Sequence, residues 1–311
     1  MDVSIIYVNY YTKELIIESI RSVIRHTENI QYEIIIVDNN TQDLSELKMK
    51  FKNVEVVQLS SNLGFGMANN KGSEIAKGKY LLFLNPDTII LNNAIYILFN
   101  ALNKHQQYGI VGGNLFDENL KPMHSYMWVT LSLSYIFRKA LMPKRFYASI
   151  KYQFNFSEKD KLVGYSTGAD LMIRRSIFDE IKGFSDKIFM YYEDVDLCIK
   201  TKRLKYDVAN IPQAHIQHLE GRSIQGECEY EKQQKRLNMN IKSQIKVLYY
   251  TIGRSKSLWI LNVAILLFTI KAIIYRIVNK KKCSFINNQK NFYLLLKKGF
   301  LEYEKSFNTR I

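Results

Sequence analysis

The stretch LLFLNPD at Leu81–Asp87 constrains the fold of this chain more than any other. Its four consecutive apolar residues predict a strand that is buried on both faces, as in a parallel sheet covered by helices. Pro86 lacks a backbone N–H and ends the strand, which places Asp87 at its carboxyl end, where open α/β sheets bind ligands. A carboxylate there suits a hard divalent cation, although an ordinary Pro-Asp turn has the same sequence.

Residues 1–114 alternate short apolar runs with helical patterns, and weaker patterns resume near residue 170. Strands are predicted at Val3–Val8, Glu33–Val37, Val54–Leu59, 80–84, Ile110–Gly112, Leu171–Ile173, 207–210 and 215–219. Helices are predicted after an N-cap at Thr12 and over Leu44–Phe51, Gly66–Lys77, 91–104, 176–181 and 194–204. The β-α-β order requires right-handed crossovers and therefore predicts an α/β fold with a mostly parallel, doubly wound sheet.

The formal charge of +15 indicates an anionic partner such as lipid, nucleic acid or a nucleotide-type substrate. The chain has no RNA- or DNA-binding motif, so nucleic acid is not expected. Three widely spaced cysteines form neither a disulfide framework nor a metal knuckle, which favours a reducing compartment. No basic region precedes the apolar run Val3–Val8, so we interpret it as a strand and not as a secretory signal.

Two later segments differ in character from the alternating pattern. The segment 120–160 is irregular, and a long irregular segment in a compact domain is usually functional or mobile. We expect it to help bind an acceptor. Its aromatic and basic residues include Tyr126, Trp128, Tyr135, Phe137, Arg138, Lys144 and Arg145. The tail, residues 226–311, is basic, with an amphipathic helical pattern over 229–250 and an apolar run over Leu258–Val278 that precedes three lysines.

Asn262, Lys271 and Arg276 interrupt this apolar run, and its uninterrupted part is shorter than the roughly 20 residues that a comfortable membrane span needs. We therefore expect a helix that lies in an anionic membrane surface. A transmembrane helix with a snorkelling Lys271 and a buried helix of a soluble core are the two alternatives.

Polar side chains follow the first three predicted strands. Asn9 follows the first strand. Asp38, Asn39 and Asn40 follow the second, where they offer acceptors and amides suited to a nucleobase edge or ribose hydroxyls. An Asx-turn is the structural alternative there. After the third strand, Gly64 permits close backbone approach before a helix N-terminus that favours phosphate. Asn69 occupies the third glycine position, so the loop is not a dinucleotide fingerprint.

The motifs VDNN at 37–40, NLGFG at 62–66, Asn69 and LNPD at 84–87 resemble, in order and spacing, those of family 2 glycosyltransferases, in the rhamnosyltransferase-like branch. The resemblance implies a GT-A fold, a metal ligand at Asp87 and a nucleotide contact at Asp38. The remaining residues expected around the donor are Asn9, Asn40, Asn62, Gly64, Asn69 and Asn85.

The family's second signature is similar to the segments 168–175 and 189–198, and it implies that Asp194 is the catalytic base. A carboxylate at a helix N-terminus is stabilised as the anion, which suits a base, although plain charging of the helix N-terminus would also explain the acidic run. We expect Glu193 to orient the acceptor and Asp196 to support its neighbours. Asp170 stands where a small residue is more usual.

His218 corresponds in this resemblance to a histidine near the metal and the diphosphate, with a purely structural histidine as the alternative. Arg222, in the loop 221–225, is a further candidate to clamp the diphosphate, on grounds of charge alone.

The expectation is an inverting, Mg²⁺- or Mn²⁺-dependent glycosyltransferase that uses dTDP-rhamnose or a UDP-sugar. It would act on a glycan or polyprenyl-linked acceptor at the cytoplasmic face of the inner membrane. Residues 1–225 would form the GT-A domain, with a nucleotide-sugar half at 1–114 and an acceptor half at 115–225. A non-catalytic basic binding protein on a degenerate GT-A fold is the alternative. A nucleotidyltransferase would need a Gly-rich basic loop after the first strand, which is absent.

Overall fold

The computed structural model describes residues 1–40, 44–127, 153–219, 229–278 and 280–308. The described residues form two compact units, the first reaching to Lys232 and the second beginning at Gln233. Trp128, Tyr135, Phe137, Arg138, Lys144, Arg145 and Arg222, which the sequence singles out, lie outside the described residues.

The first unit is built on one large sheet with a separate two-stranded sheet beside it. The strands within the described residues are β1 (Val3–Asn9), β2 (Tyr32–Asp38), β3 (Val54–Gln58), β4 (Tyr80–Leu84), β5 (Thr88–Ile90), β6 (Tyr108–Phe116), β7 (Tyr126–Met127), β8 (Lys161–Leu162), β9 (Tyr165–Ser166), β10 (Asp170–Arg174) and β11 (Asp207–His218). The large sheet has the order β3-β2-β1-β4-β10-β6-β11-β5, with β8 paired to β11, and β7 pairs with β9.

The sheet is parallel from β3 to β4, which confirms the predicted doubly wound α/β class. One central strand runs the other way: β10 lies between β4 and β6 and is antiparallel to both. Its first residue, Asp170, is therefore opposite Leu84, the last residue of β4. The carboxyl ends of the parallel strands and the start of β10 meet at one edge, where sheets of this class bind ligands.

Helices cover both faces of the sheet. They are α1 (Lys13–His26), α2 (Ser45–Lys50), α3 (Phe65–Ile75), α4 (Ala94–Lys104), α5 (Arg175–Glu180) and α6 (Glu193–Arg203). Alternate residues of β1 enter two different cores, as the period of a strand requires. Ile5 and Tyr7 pack with α1 and α4, whereas Ile6 and Val8 pack with α3, α5 and α6.

Several local predictions need correction. The two strands predicted over 207–219 are one strand, β11, whose pairing with β6 shifts register between Asn210 and His215. The short strands β5, β7, β8 and β9 were not predicted, because segments of two or three residues carry no periodicity. Thr12 precedes α1, but its hydroxyl donates to Asn9 Oδ1 at 3.1 Å and does not cap the helix.

The second unit is helical. Helix α7 (Glu229–Lys246) continues into a π-helical turn (Val247–Ile252), which is followed by α8 (Arg254–Val278) and α9 (Lys280–Asn308). Ile260 and Phe268 on α8 pack with Tyr293 and Phe300 on α9, so the two helices form an antiparallel hairpin. Within the described residues, the segment Arg254–Arg276 is long and apolar enough to cross a membrane, by length and composition.

Candidate active site

An amide and carboxylate network joins the ends of the first three strands. Asn9 and Asp38 are fully buried, and Asn9 Nδ2 donates to Asp38 Oδ1 at 2.7 Å and to Asn40 Oδ1 at 3.2 Å. Gln58, at the end of β3, donates to the other carboxylate oxygen of Asp38 at 2.6 Å. Both oxygens of Asp38 are therefore engaged within the protein, and a direct nucleotide contact would have to share or replace one of these bonds. Gln58 was not predicted from the sequence, although its register opposite Asp38 marks it.

The loop before α3 is held by Asn39, a member of the polar cluster predicted after the second strand. Its Nδ2 donates to Asn62 Oδ1 at 2.9 Å, and its Oδ1 accepts the N–H of Leu63 at 2.9 Å. Asn62 Oδ1 also accepts the N–H of Gly64 at 2.8 Å. This interlocked amide pair fixes the glycine loop against the end of β2.

Gly64 brings this loop against the segment that leads to α6. Its φ of 84° and ψ of 169° lie in a region that only glycine adopts readily. A Cβ there would lie 2.8 Å from Phe189 Cδ2 and still closer to the Phe189 carbonyl oxygen. That carbonyl accepts the N–H of Phe65 at 3.0 Å. Glycine is therefore required at position 64 both by its backbone conformation and by the close approach of Phe189.

Two asparagines of α3 have distinct environments. Asn70 binds the backbone of Phe184 twice, because its Nδ2 donates to the carbonyl and its Oδ1 accepts the N–H, both at 2.9 Å. Asn69 is fully buried and donates to Phe65 O at 3.1 Å, and its Oδ1 has no hydrogen-bond partner within the described residues. Asn70 thus ties α3 to the chain that precedes α6.

Asp87 and His218 meet at the end of β4, although 130 residues separate them in the sequence. Asp87 Oδ1 lies 3.3 Å from His218 Nε2, and both side chains are largely shielded from water. Asn85 Nδ2 lies 3.4 Å from the same nitrogen. Antiparallel pairing of β5 with β11 sets His218 opposite Thr88 and thereby creates this approach.

The Asp87–His218 pair fits a divalent cation of the predicted kind. Two ligands about 2.1 Å from one ion lie about 3.0–3.4 Å apart, which matches the observed separation. Among the residues that the structure describes, no cluster of three or more His, Cys, Asp or Glu side chains is placed to hold a metal. Two protein ligands would leave the other coordination positions of such an ion to phosphate oxygens and water, as in other phosphate-binding metal sites.

Asp194 lies in the first turn of α6 and connects to the same edge through a loop. Its Oδ2 accepts the N–H of Gly168 at 3.1 Å, and its Oδ1 accepts the N–H of Val195 at 2.8 Å. The next residue after Gly168, Ala169, accepts the N–H of Asn85 at 2.9 Å. One dipeptide therefore joins the candidate base to the candidate metal motif.

Two consecutive residues just before α6 have a left-handed backbone conformation. Tyr191 and Tyr192 both have a φ of 66°, which is unfavourable for residues with a Cβ. Strained backbone of this kind persists where the surrounding structure imposes it, often at functional sites. The strain here sets the direction in which the chain enters α6 and presents Glu193 and Asp194.

Glu193 and Asp194 are adjacent carboxyls with altered acidity. Loss of contact with water raises the pKa of both groups, and the charge of Asp194 raises the pKa of Glu193 further. The N–H groups of Val195 and Gly168 oppose this effect at Asp194 by stabilising its anion. The raised pKa of Asp194, about 6, makes its carboxylate a stronger base and still leaves it ionised at neutral pH. Asp196 pairs with Lys200 at 2.7 Å, in the supporting role expected for it.

Asp170, which the sequence left unexplained, is a fully buried carboxyl at the start of β10. Its Oδ2 accepts the N–H of Gly113 at 2.5 Å, and its Oδ1 has no hydrogen-bond partner within the described residues. Burial raises its pKa to about 7, against the opposing effects of the Gly113 N–H and of His218. The Asp170 side chain links the start of β10 to Gly113 on β6. The side chain of a smaller residue would be too short to make this contact.

Asp170 should make stability depend on pH in the absence of metal. Its raised folded-state pKa means that the native protein binds more protons than the unfolded chain between about pH 4 and 7, so stability falls as pH rises through that window. The loss is of the order of 4 kcal/mol. Urea unfolding across this range should show the slope in the wild type and a flatter profile in Asp170→Asn. An unchanged slope in the variant would exclude Asp170 as its source.

A family model for glycosyl transferase family 2 matches residues 3–182, more than half of the chain. The chain belongs to glycosyl transferase family 2. This glycosyltransferase contains all the motifs of the first resemblance within the matched region. The match ends before Asp194 and His218, so those two assignments rest on the geometry and on the resemblance.

Two relatives and one solved structure extend the comparison. The glycosyltransferase is 25% identical over 208 residues to the rhamnosyltransferase WbbL of Escherichia coli K12, covering 62% of this chain and 75% of that protein. It is 23% identical over 201 residues to an N-acetylglucosaminyl-diphospho-decaprenol L-rhamnosyltransferase of Mycobacterium tuberculosis, covering 60% of this chain and 66% of that protein. These relatives support the rhamnosyltransferase-like branch.

The solved structure is that of GalNAc-T7 with UDP, GalNAc and Mn²⁺. It aligns with a TM-score of 0.53 and 16% identity, over 71% of this chain and 45% of that chain. At this identity the likeness concerns the fold alone, and it supports the GT-A architecture predicted from the sequence.

Proposed function

We propose that this protein is a metal-dependent, inverting glycosyltransferase that moves a sugar from a nucleotide-sugar to a glycan or lipid-linked glycan in cell-surface polysaccharide synthesis. The observation that carries the proposal is the joining of Asp87, His218 and Asp194 at one edge of the sheet through Gly168 and Ala169. The donor in this proposal is dTDP-rhamnose or a UDP-sugar, and the rhamnosyltransferase names of the two relatives support transfer of a rhamnosyl group. A polyprenyl-linked acceptor is favoured by the decaprenol-linked substrate in the name of the mycobacterial relative.

The donor would bind along the carboxyl ends of β1 to β4. The network of Asn9, Asp38 and Asn40 offers polar groups to the nucleoside, and the Gly64 loop allows a close approach of backbone to the donor. Asn62 and Asn69 border this loop, and Asn85 lies beside His218. Asp87 and His218 would hold Mg²⁺ or Mn²⁺. The bound ion would neutralise negative charge on the diphosphate leaving group.

Asp194 would remove the proton from an acceptor hydroxyl as that oxygen attacks the anomeric carbon. The new carbon–oxygen bond forms while the bond from that carbon to the diphosphate oxygen breaks, and the nucleoside diphosphate departs with the bonding electrons. The transition state resembles an oxocarbenium ion, as in glycoside hydrolysis. A single displacement inverts the anomeric configuration, and its outcome can be read from the product by nuclear magnetic resonance.

Nucleotide binding should depend on both metal and Asp87. UDP, dTDP or GDP at a hundred times its dissociation constant should stabilise the protein by about 2.7 kcal/mol in thermal unfolding with Mn²⁺. EDTA or Asp87→Ala should remove the shift, because the ion that links protein to diphosphate is then lost. The nucleotide that gives the shift identifies the donor class.

Asp179→Ala is the matched control, since Asp179 is an exposed carboxylate on α5 whose ion pair with Arg175 is 3.6 Å long. It should retain the full shift. The absence of a shift with every nucleotide would favour the alternative, a non-catalytic basic binding protein on a degenerate GT-A fold.

We further propose that the protein works at the cytoplasmic face of the inner membrane, with residues 1–114 serving the donor, 115–225 serving the acceptor and 226–311 attaching to the anionic surface. The apolar segment Arg254–Arg276 and the lipid-linked substrate named for the mycobacterial relative support this location.

A further inference from the structure

We infer that the hairpin of α8 and α9 docks in the plane of an anionic lipid bilayer, with one outer face of α8 in the lipid and the outer face of α9 in water. This inference deepens the proposed function, because it specifies how the protein reaches a lipid-linked acceptor. It also distinguishes between the in-plane and transmembrane helices that the sequence left open.

The outer face of α8 is an exposed apolar stripe. Five large apolar residues are about half exposed there: Trp259 (54%), Leu266 (59%), Ile270 (47%), Ile273 (58%) and Ile274 (51%). Their spacing of three, four and seven residues places them on one side of the helix. Ile260, Leu261, Ala264, Phe268 and Ala272 are buried on the opposite side, against α9. The stripe therefore lies opposite the packed side, and it is apolar except for the exposed Asn262 between Trp259 and Leu266.

The outer face of α9 has the opposite character. Seven residues are exposed there at helical spacing, and five of them are polar: Asn288, Asn291, Leu294, Leu295, Lys298, Glu302 and Lys305. Ile286, Tyr293, Leu296 and Phe300 on the other side of α9 are buried. The hairpin is thus apolar on one outer face and polar on the other.

This asymmetry favours an in-plane position. If the hairpin spanned the bilayer, Lys298, Glu302 and Lys305 would enter the hydrocarbon together with α8, and charged side chains there are strongly unfavourable. If α8 crossed alone, it would have to leave α9 and expose Phe300 and Tyr293. A position in the membrane interface suits both helices. The apolar stripe of α8 then enters the boundary of the acyl chains, while the polar residues of α9 stay in water.

The charge distribution identifies the lipid as anionic. Residues 254–308 contain eleven Lys or Arg and two acidic residues, and no Asp or Glu occurs between 232 and 301. Arg254 and Lys256 precede the stripe, and Arg276 follows it. Basic residues at both ends of an apolar stripe are attracted to acidic head groups on either side of the inserted helix.

Vesicle flotation of the full-length protein tests the inference with a closely matched pair of variants. Leu266 and Leu295 are 59% and 58% exposed, and they lie on the apolar and polar outer faces respectively. Leu266→Glu should lower partitioning onto phosphatidylglycerol-containing vesicles by at least about tenfold, because it places a charge in the inserted stripe. Leu295→Glu should leave partitioning unchanged, and pure phosphatidylcholine vesicles should bind the wild type more weakly.

Depth measurements separate the in-plane from the transmembrane arrangement. A fluorophore is attached to a cysteine at Trp259→Cys, Leu266→Cys or Ile273→Cys in a background with Cys228→Ser and Cys283→Ser, since Cys198 is buried. An in-plane helix requires the same shallow depth at all three positions in vesicles with quenchers near the head groups or near the bilayer centre. A deep position 266 between two shallow ones would overturn the inference in favour of a span.

Equal effects of Leu266→Glu and Leu295→Glu, or no effect of either, would also overturn it. The nucleotide-dependent thermal shift of each variant is measured in parallel and should match the wild type. A failure of membrane docking is therefore distinguishable from a failure of the proposed catalytic function.

Discussion

Asp194→Asn should lower kcat for glycosyl transfer by roughly 10³, which is the contribution typical of a positioned general base. Asparagine retains an oxygen that can accept the Gly168 N–H, but it cannot take a proton from the acceptor. The metal-dependent nucleotide shift should be unchanged, since Asp194 is not among the residues proposed to bind the donor. In the wild type the rate should fall as pH drops through the raised pKa of Asp194, because the protonated acid is no base.

Asp186→Asn is the matched control, because Asp186 is an exposed carboxylate, 62% accessible, whose visible ion pair is with its neighbour Lys187. It should transfer sugar at the wild-type rate and show the same fall in rate at low pH. Transfer by Asp194→Asn within tenfold of the wild type, with the acid limb intact, would assign the base to another residue.

Gly64→Ala should lower both stability and nucleotide affinity. A side chain there costs about 1–3 kcal/mol in backbone strain at this positive φ, and overpacking against Phe189 adds about 1–3 kcal/mol. Relief of the clash would push the Phe189 segment away and open the loop that borders the donor site. Urea unfolding and nucleotide titration measure the two effects.

Gly253→Ala separates the cost of backbone strain from the cost of a steric clash. Gly253 has a φ of 95° and ψ of 153°, close to those of Gly64, but an added Cβ there meets no atom within 4 Å. It should therefore show the strain alone, with nucleotide affinity intact. If the two variants lost equal stability and neither lost affinity, the contact between the Gly64 loop and Phe189 would have no role in the site.

The sequence predicted the parts of the site that follow directly from strand ends. Asn9, Asp38 and Asp87 each come after an apolar run, so their common edge was expected from the topology of parallel sheets. The approach of His218 to Asp87 was expected only through the resemblance, because it depends on the pairing of the three-residue strand β5 with β11.

The amide clamps were beyond sequence reasoning. Asn39 and Asn70 read as polar loop and helix residues, and only the folded structure brings their side chains to the backbone of Leu63 and Phe184. The antiparallel direction of β10 could not be predicted either, because the sequence of Asp170–Arg174 does not reveal which strands pair with it. The raised pKa of Asp170 results from its burial in that position and could not be predicted from the neighbouring residues in the sequence.

The position of β10 also governs the order in which the chain can fold during synthesis. β6 has β10 and β11 as its two neighbours in the large sheet, and both are synthesised later than β6 itself. β4 likewise lacks its second neighbour until residue 174 has been made. Pairings of such sequence separation form slowly, and open strand edges invite aggregation. The residues proposed to bind the donor are therefore synthesised before the centre of the sheet can close, and we expect the proposed donor and acceptor regions to become ordered together.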